Sequence, residues 1–287
     1  MRIVVVPVAV YDPFFKQVRR GVEAAREAIR GSAAVDWIDV EDADPAHQAE
    51  IVRDTARGGS ADALVICPID RTALNAPIRE CVRKGIPVAT FCLDAPESGR
   101  FFHIGQDLRQ SGRLAGFLMG KFLGGRGNVG IITGFFAVEG HEERRKGFLE
   151  VLGEDFPGIG VRWQDENHDH WEEAYEIAKR RLAGGGTDGI YITAGGPFGA
   201  ARALEESLKT GGKRVSLVCF DFVPETVERI RNGFIEAAIG QDPFAQGYRS
   251  VTAAYELIRF GRKPGREIEH VNLEIAVREN VRYLGTA

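Results

Sequence analysis

The chain has 287 residues, 44% of them hydrophobic and 27% charged, an ordinary globular composition with room for one large or two medium domains. Its 37 Lys and Arg against 41 Asp and Glu give a net charge of −4, so no overall positive field favours nucleic acid or an anionic membrane. No run approaches the ~20 apolar residues of a membrane helix. The first apolar run is broken by Pro7 and followed by Asp12-Pro13, which reads as a β-strand and not as a signal peptide.

Residues 3–8 form an apolar strand of the kind buried on both faces of a parallel sheet. Asp12 then caps a helix that has Pro13 at its first position and Phe14, Val18, Val22, Ala25 and Ile29 along one stripe. Strand and helix repeat at 35–40 with 45–57 and at 64–67 with 72–84, and strands at 87–91 and 101–104 follow. From Asp107 the plan restarts: helix 107–122, strand 129–133, helix 139–152, strand 161–164, helix 171–182, strand 189–193 and helix 197–209. The stretch 216–248 adds an apolar run that stops at Asp221, a helix carrying Val223, Val227 and Ile230, and a second apolar run, 234–239, that ends in Gly240-Gln241-Asp242-Pro243. A helix over 243–260 and a strand over 271–277 complete the pattern.

This alternation predicts an α/β fold of two doubly wound parallel-sheet domains. The long helix after Gly240 and the last strand require the chain to change domain, with crossings near Gly105, Gly240 and Glu267. The expected lobes are 1–105 plus 241–267 and 106–240 plus 268–287, joined by a three-segment hinge that permits closure around a ligand in the cleft.

Open α/β sheets place ligands at the C-terminal ends of their strands, which nominates Asp221 and Gln241. Asp12 with Phe14 and Phe15 offers a carboxylate for hydroxyl protons and rings for the C–H face of a sugar, with helix capping and core packing as the plain alternative. Two histidines two apart, His168 and His170, stand among carboxylates in 165–171, without the spacing of a metal site; Trp171 there is a candidate stacking ring. Gly195-Gly196-Pro197-Phe198-Gly199 follows a strand but is neither a dinucleotide fingerprint nor a phosphate loop. On the helix after Gly140, Arg144 reads as a brace within its domain. Cys67, Cys81, Cys92 and Cys219 form no Cys-x-x-Cys pair and read as buried free thiols, a mild pointer to a reducing compartment. Nothing nominates a nucleophile, a cofactor or a catalytic constellation.

The order Asp12-Pro13-Phe14-Phe15, Ile86-Pro87-Val88, Ile104-Gly105-Gln106-Asp107 with Ser111-Gly112-Arg113-Leu114-Ala115, Arg144-x-x-Gly147-Phe148, Phe220-Asp221, Gln241-Asp242-Pro243 and Glu279-Asn280-Val281 resembles the type I periplasmic sugar-binding proteins, their ribose-binding branch above all. The resemblance implies a non-enzymatic, monomeric receptor that clamps a small carbohydrate and presents it to an ABC permease, in the periplasm, with no nucleic acid bound and no membrane insertion. It implies ligand contacts at Asp12, Phe14, Phe15, Asp221 and Gln241, with Glu142 near a position that is arginine in ribose binders. The chain departs from that branch at Cys92-Leu93-Asp94, where an Asp-Arg pair is expected and Asp94 fills the role only from a longer loop, and at Ala194-Gly195-Gly196, where an asparagine is expected. Asp12, Asp94, Glu142 and Asp221 then make an acceptor-rich pocket, which implies a polyol, a larger sugar or an amino sugar in place of ribose. The same fold forms the effector-sensing half of lactose-repressor-type regulators, cytoplasmic and dimeric, whose helix-turn-helix segment has no counterpart ahead of Ile3.

Overall fold

Apolar strands alternate with capped helices throughout the computed structural model, which describes residues 1–8, 12–40, 44–59 and 61–284, Asp12 by its backbone alone. Two units result, Met1–Gln106 with Asp242–Val271 and Asp107–Gln241 with Asn272–Ala287.

The first unit builds one sheet from β1 (Arg2–Val6), β2 (Ala34–Trp37), β3 (Ala63–Ile66), β4 (Val88–Phe91) and β5 (Phe102–Gly105), with α1 (Asp12–Ala28), α2 (Pro45–Gly58) and α3 (Arg71–Arg83) between them. The second repeats the plan with α4 (Leu108–Phe122), β6 (Arg126–Thr133), α5 (Glu139–Asp155), β7 (Gly158–Glu166), α6 (Trp171–Ala183), β8 (Gly189–Ile192), α7 (Pro197–Lys209), β9 (Ser216–Phe220), α8 (Pro224–Arg231) and β10 (Ala237–Ile239). After that, α9 (Pro243–Phe260) and β11 (Ile268–His270) belong to the first unit and β12 (Ile275–Ala276) to the second. The strand orders are β2-β1-β3-β4-β5-β11 and β7-β6-β8-β9-β10-β12. Among the described residues every strand pairing is parallel except that of β10 with β12.

Local chemistry sets the boundaries. Asp44, Asp70, Asp107 and Asp242 each accept a first-turn N–H of the helix that follows, at 2.8, 2.9, 2.9 and 3.0 Å, and Pro45 and Pro243 fill first-turn positions that need no donor. Each sheet is packed on both faces. In the first unit, Ile3, Val5 and Phe91 lie in the core under α1 and α9, and Val4, Val6 and Val88 in the core under α2 and α3.

Three differences from the sequence reading have local causes. β6 begins at Arg126, three residues early, because the Asp188 carboxylate accepts the Asn128 N–H at 2.7 Å and draws the loop into the ladder. β11 pairs with β5, so residues 268–271 group with the first unit where the sequence placed them in the second. The strand expected over 271–277 shrinks to the two residues of β12, held antiparallel to β10.

Candidate ligand-binding site

In each sheet the strand order reverses at one point, between β1 and β3 and between β6 and β8, and ligands of open α/β sheets bind beyond the C-terminal ends of strands at such a point. The backbone marks the same edge. Among the described residues, the five with positive φ other than glycine are Cys92, His168, Asp169, Asp221 and Asp242, and each follows the C-terminal end of a strand. Left-handed backbone outside glycine costs energy and concentrates at functional edges.

The second unit carries the fuller constellation. Arg144, buried on α5, donates to the Thr193 carbonyl at 3.0 Å and to Gln241 Oε1 at 2.8 Å, and its guanidinium lies 3.9 Å over the Phe220 ring. Gln241 in turn donates to Asp221 Oδ1 at 2.7 Å. An arginine, an amide and a carboxylate thus form a chain that aims Asp221, half-buried with φ of +70°, along the sheet edge. Burial pushes the Asp221 carboxyl up from its ordinary value, against the pull of Arg144 and of the Gln241 hydrogen bond.

Neighbouring groups complete this edge. The Thr133 and Thr193 hydroxyls, at the ends of β6 and β8, are 2.8 Å apart. Asp169 accepts the Gly195 N–H at 2.8 Å and stands 4.0 Å from His141, whose Nδ1 accepts the Phe135 N–H at 3.1 Å. Burial holds His141 below the usual imidazole range, and because Nδ1 accepts the Phe135 N–H, the ring proton belongs to Nε2, the nitrogen nearer Asp169. A Cβ on Gly134 would meet the Asp169 and His141 side chains at 2.6 Å, so a larger residue there would push them aside.

The first unit offers a second, smaller group. Asp94 receives two Arg100 hydrogen bonds of 2.6 Å each and one from Thr90 at 2.8 Å, and Arg100, 1% exposed in its side chain, also reaches Glu267 at 2.6 Å. Burial alone would raise the Asp94 carboxyl, but Arg100, His103 and Thr90 hold it below its ordinary value. Burial likewise takes the neighbouring His103 down to about 4.

The residues proposed from sequence separate accordingly. Asp221 and Gln241 come together, joined by Arg144, whose reading as an internal brace fits its hydrogen bonds. Phe14 is buried in the core and meets the half-buried Phe15 edge to face, with ring centroids 5.2 Å apart, so Phe15 holds the more exposed ring. Trp171 is 39% exposed and stacks edge-on against Phe198 at 5.4 Å. Glu142 is taken up by two Arg145 hydrogen bonds of 2.7 and 2.8 Å on its own helix. The Asp12 side chain lies outside the described residues. His168 and His170 both turn to Glu173, at 2.7 and 3.1 Å, and no group of three metal-ligating side chains occurs among the described residues. Sequence reasoning did not single out Thr133, His141 or Thr193, and took Asp169 only as one of the carboxylates of 165–171; the strand ends at Thr133 and Thr193 were the available signal. A cavity of about 580 Å³ between Leu123, Arg126, Asp188, Arg214 and Glu236 opens at the opposite, N-terminal ends of the strands.

Comparison with known proteins identifies the family. The profile of the periplasmic binding protein domain matches residues 3–263. The chain belongs to that family. Among curated members, the ribose import binding protein RbsB of Haemophilus influenzae is 26% identical over 249 residues, spanning 86% of this chain and 82% of its own. The xylitol-binding protein of Mycolicibacterium smegmatis is 27% identical over 177 residues, 60% of this chain and 49% of its own. Among solved structures, the arabinose-binding protein AraP from Geobacillus stearothermophilus superposes with a TM-score of 0.80 at 25% identity over 98% of both chains. An ABC transporter solute-binding protein from Burkholderia graminis, in complex with D-arabinose, reaches a TM-score of 0.89 at 24% identity, over 98% of this chain and 96% of its own, a likeness of fold.

Proposed function

We propose that this chain is the solute receptor of an ABC importer, binding a small neutral sugar or polyol without transforming it. The observation that carries the reading is the Arg144–Gln241–Asp221 chain at the strand edge. Gln241 occupies one Asp221 oxygen from one side, and a carboxylate has two oxygens with about four acceptor sites. Adjacent hydroxyls of a carbohydrate supply the paired donors that such a carboxylate takes. Trp171, on the same unit as Asp221, provides ring surface for the C–H face of such a ligand.

Neutral ligands are favoured over amino sugars by how the carboxylates are engaged. Of the four acidic groups expected to face ligand, Asp94 is matched by Arg100 and Glu142 by Arg145. The strand edge of each unit is therefore less negative than the sequence implied, and an ammonium group gains little from Asp94 or Glu142. The absence of an asparagine at Ala194-Gly195-Gly196, after β8, still argues against ribose. The names of the curated relatives, import and polyol-binding receptors, favour this reading over the effector domain of a regulator. A receptor of this kind works outside the cytoplasmic membrane with a permease as partner, as a monomer; no helix among the described residues is long and apolar enough to cross a membrane. Titration calorimetry with pentoses, hexoses and their polyols tests the assignment: one of these binds with a heat of saturable 1:1 association. Tight ribose binding would overturn the exclusion of ribose.

A further inference from the structure

Cys67 and Cys92 stand just past the C-terminal ends of neighbouring strands. β3 and β4 run parallel with Ile66 opposite Thr90, so Cys67 is one residue beyond the last pair on its strand and Cys92 two. A strand spacing of ~4.8 Å and a rise of ~3.3 Å per residue place their Cα atoms about 6 Å apart. That falls inside the ~4.4–6.8 Å window of disulfides.

The side chains also share a face. Along β3, Ala63, Val65 and Cys67 pack into one core cluster while Leu64 and Ile66 pack into the other. On β4, Ala89 and Phe91 share the Cys67 face, so an extended residue 92 would turn away from it. Cys92 instead adopts φ of +62° and packs into the cluster that holds Cys67. Burial first, and then the Cys92 thiol against it, hold the Cys67 thiol well above its ordinary value, while the Leu93 N–H works the other way. Cys67 is 1% exposed and Cys92 half-buried, so only one of the two meets a reagent from solution.

We propose that Cys67 and Cys92 are a vicinal dithiol that closes into an intrachain disulfide by exchange with small-molecule disulfides. The half-buried Cys92 reacts first: its thiol gives up a proton, its sulfur attacks one sulfur of the small disulfide, and the other half leaves as a thiolate that takes up the proton. Cys67 then loses its proton and attacks the Cys92 sulfur, expelling the second half in the same way. Two protein thiols are oxidised and one small disulfide is reduced to two thiols. Closure ties the ends of β3 and β4 across α3 and fixes the turn that carries Asp94, two residues further on.

Incubating the folded chain with oxidised glutathione, then alkylating it in denaturant and digesting with trypsin, reads the outcome directly. Trypsin separates the two cysteines into residues 58–71 and 85–100. The expected product is these two peptides joined, lighter by two hydrogens than their sum, with Cys81 and Cys219 alkylated. Phenylarsine oxide, which bridges only adjacent thiols, protects both Cys67 and Cys92 when added first. Cys67→Ser leaves glutathione stably attached to Cys92. The proposal is overturned if the wild-type chain keeps glutathione on Cys92 without resolving it, or if both peptides stay singly alkylated at full exposure to the oxidant.

Discussion

Asp221 is where burial, backbone strain and hydrogen bonding converge, and its replacement gives the sharpest test at the scale of a residue. Asp221→Ala keeps the core intact but removes the acceptor of ligand hydroxyls, with an expected loss of about 1.5–3 kcal/mol of binding free energy in calorimetry. An affinity equal to wild type would remove Asp221 from the site. His103 governs a different property. Its imidazole stays neutral in the folded chain down to about pH 4, whereas in the unfolded chain it protonates near its ordinary value. As pH falls between those values the unfolded state binds more protons, so stability falls with pH and rises again on the way up, by up to about 3 kcal/mol. Asp94, held below its ordinary value, adds to the loss at the acid end. Denaturant midpoints of wild type and His103→Gln, taken at intervals from pH 4 to 7, should differ in slope; parallel profiles would refute a buried neutral imidazole. Sequence made Asp221 and Gln241 legible, since each is a polar residue closing an apolar run. It did not reveal that Arg100 answers Asp94, because a short turn with Gly99 at φ of +79° folds Arg100 back onto it.

Close helix pairs hold the site's elements in place. A Cβ on Gly112 of α4 would lie 2.0 Å from the Arg144 carbonyl, and one on Gly147 of α5 would lie 2.1 Å from the Arg109 carbonyl. The two helices therefore meet backbone to backbone just where Arg144 enters the site, and around them Arg109 binds Glu150 and Glu143 while Arg113 binds Glu154. Gly112→Val forces this pair apart, with an expected cost of about 1–3 kcal/mol and a lower melting temperature. An unchanged melting temperature would show that α4 and α5 are not so tightly joined. Most elements could be read from sequence because apolar runs, aspartate caps and prolines bound them. β11 and β12 could not, being three and two residues long, with β11 mostly exposed and without an apolar pattern; their pairing with β5 and β10 is decided by tertiary contact.

For the whole molecule, the family was legible in the order of short motifs along the chain, and the repeat of one strand order in both units gives that order its physical meaning. The central claim, that the chain binds a small neutral carbohydrate, is tested most directly by thermal unfolding against a panel of pentoses, hexoses, polyols, amino sugars, nucleosides and amino acids. A ligand present at a hundredfold excess over its Kd stabilises the fold by about 2.7 kcal/mol, a readily measured rise in melting temperature. The predicted result is a shift with one neutral sugar or polyol and with its close stereochemical relatives. A flat response to every carbohydrate, or a shift confined to amino acids or nucleosides, would contradict it.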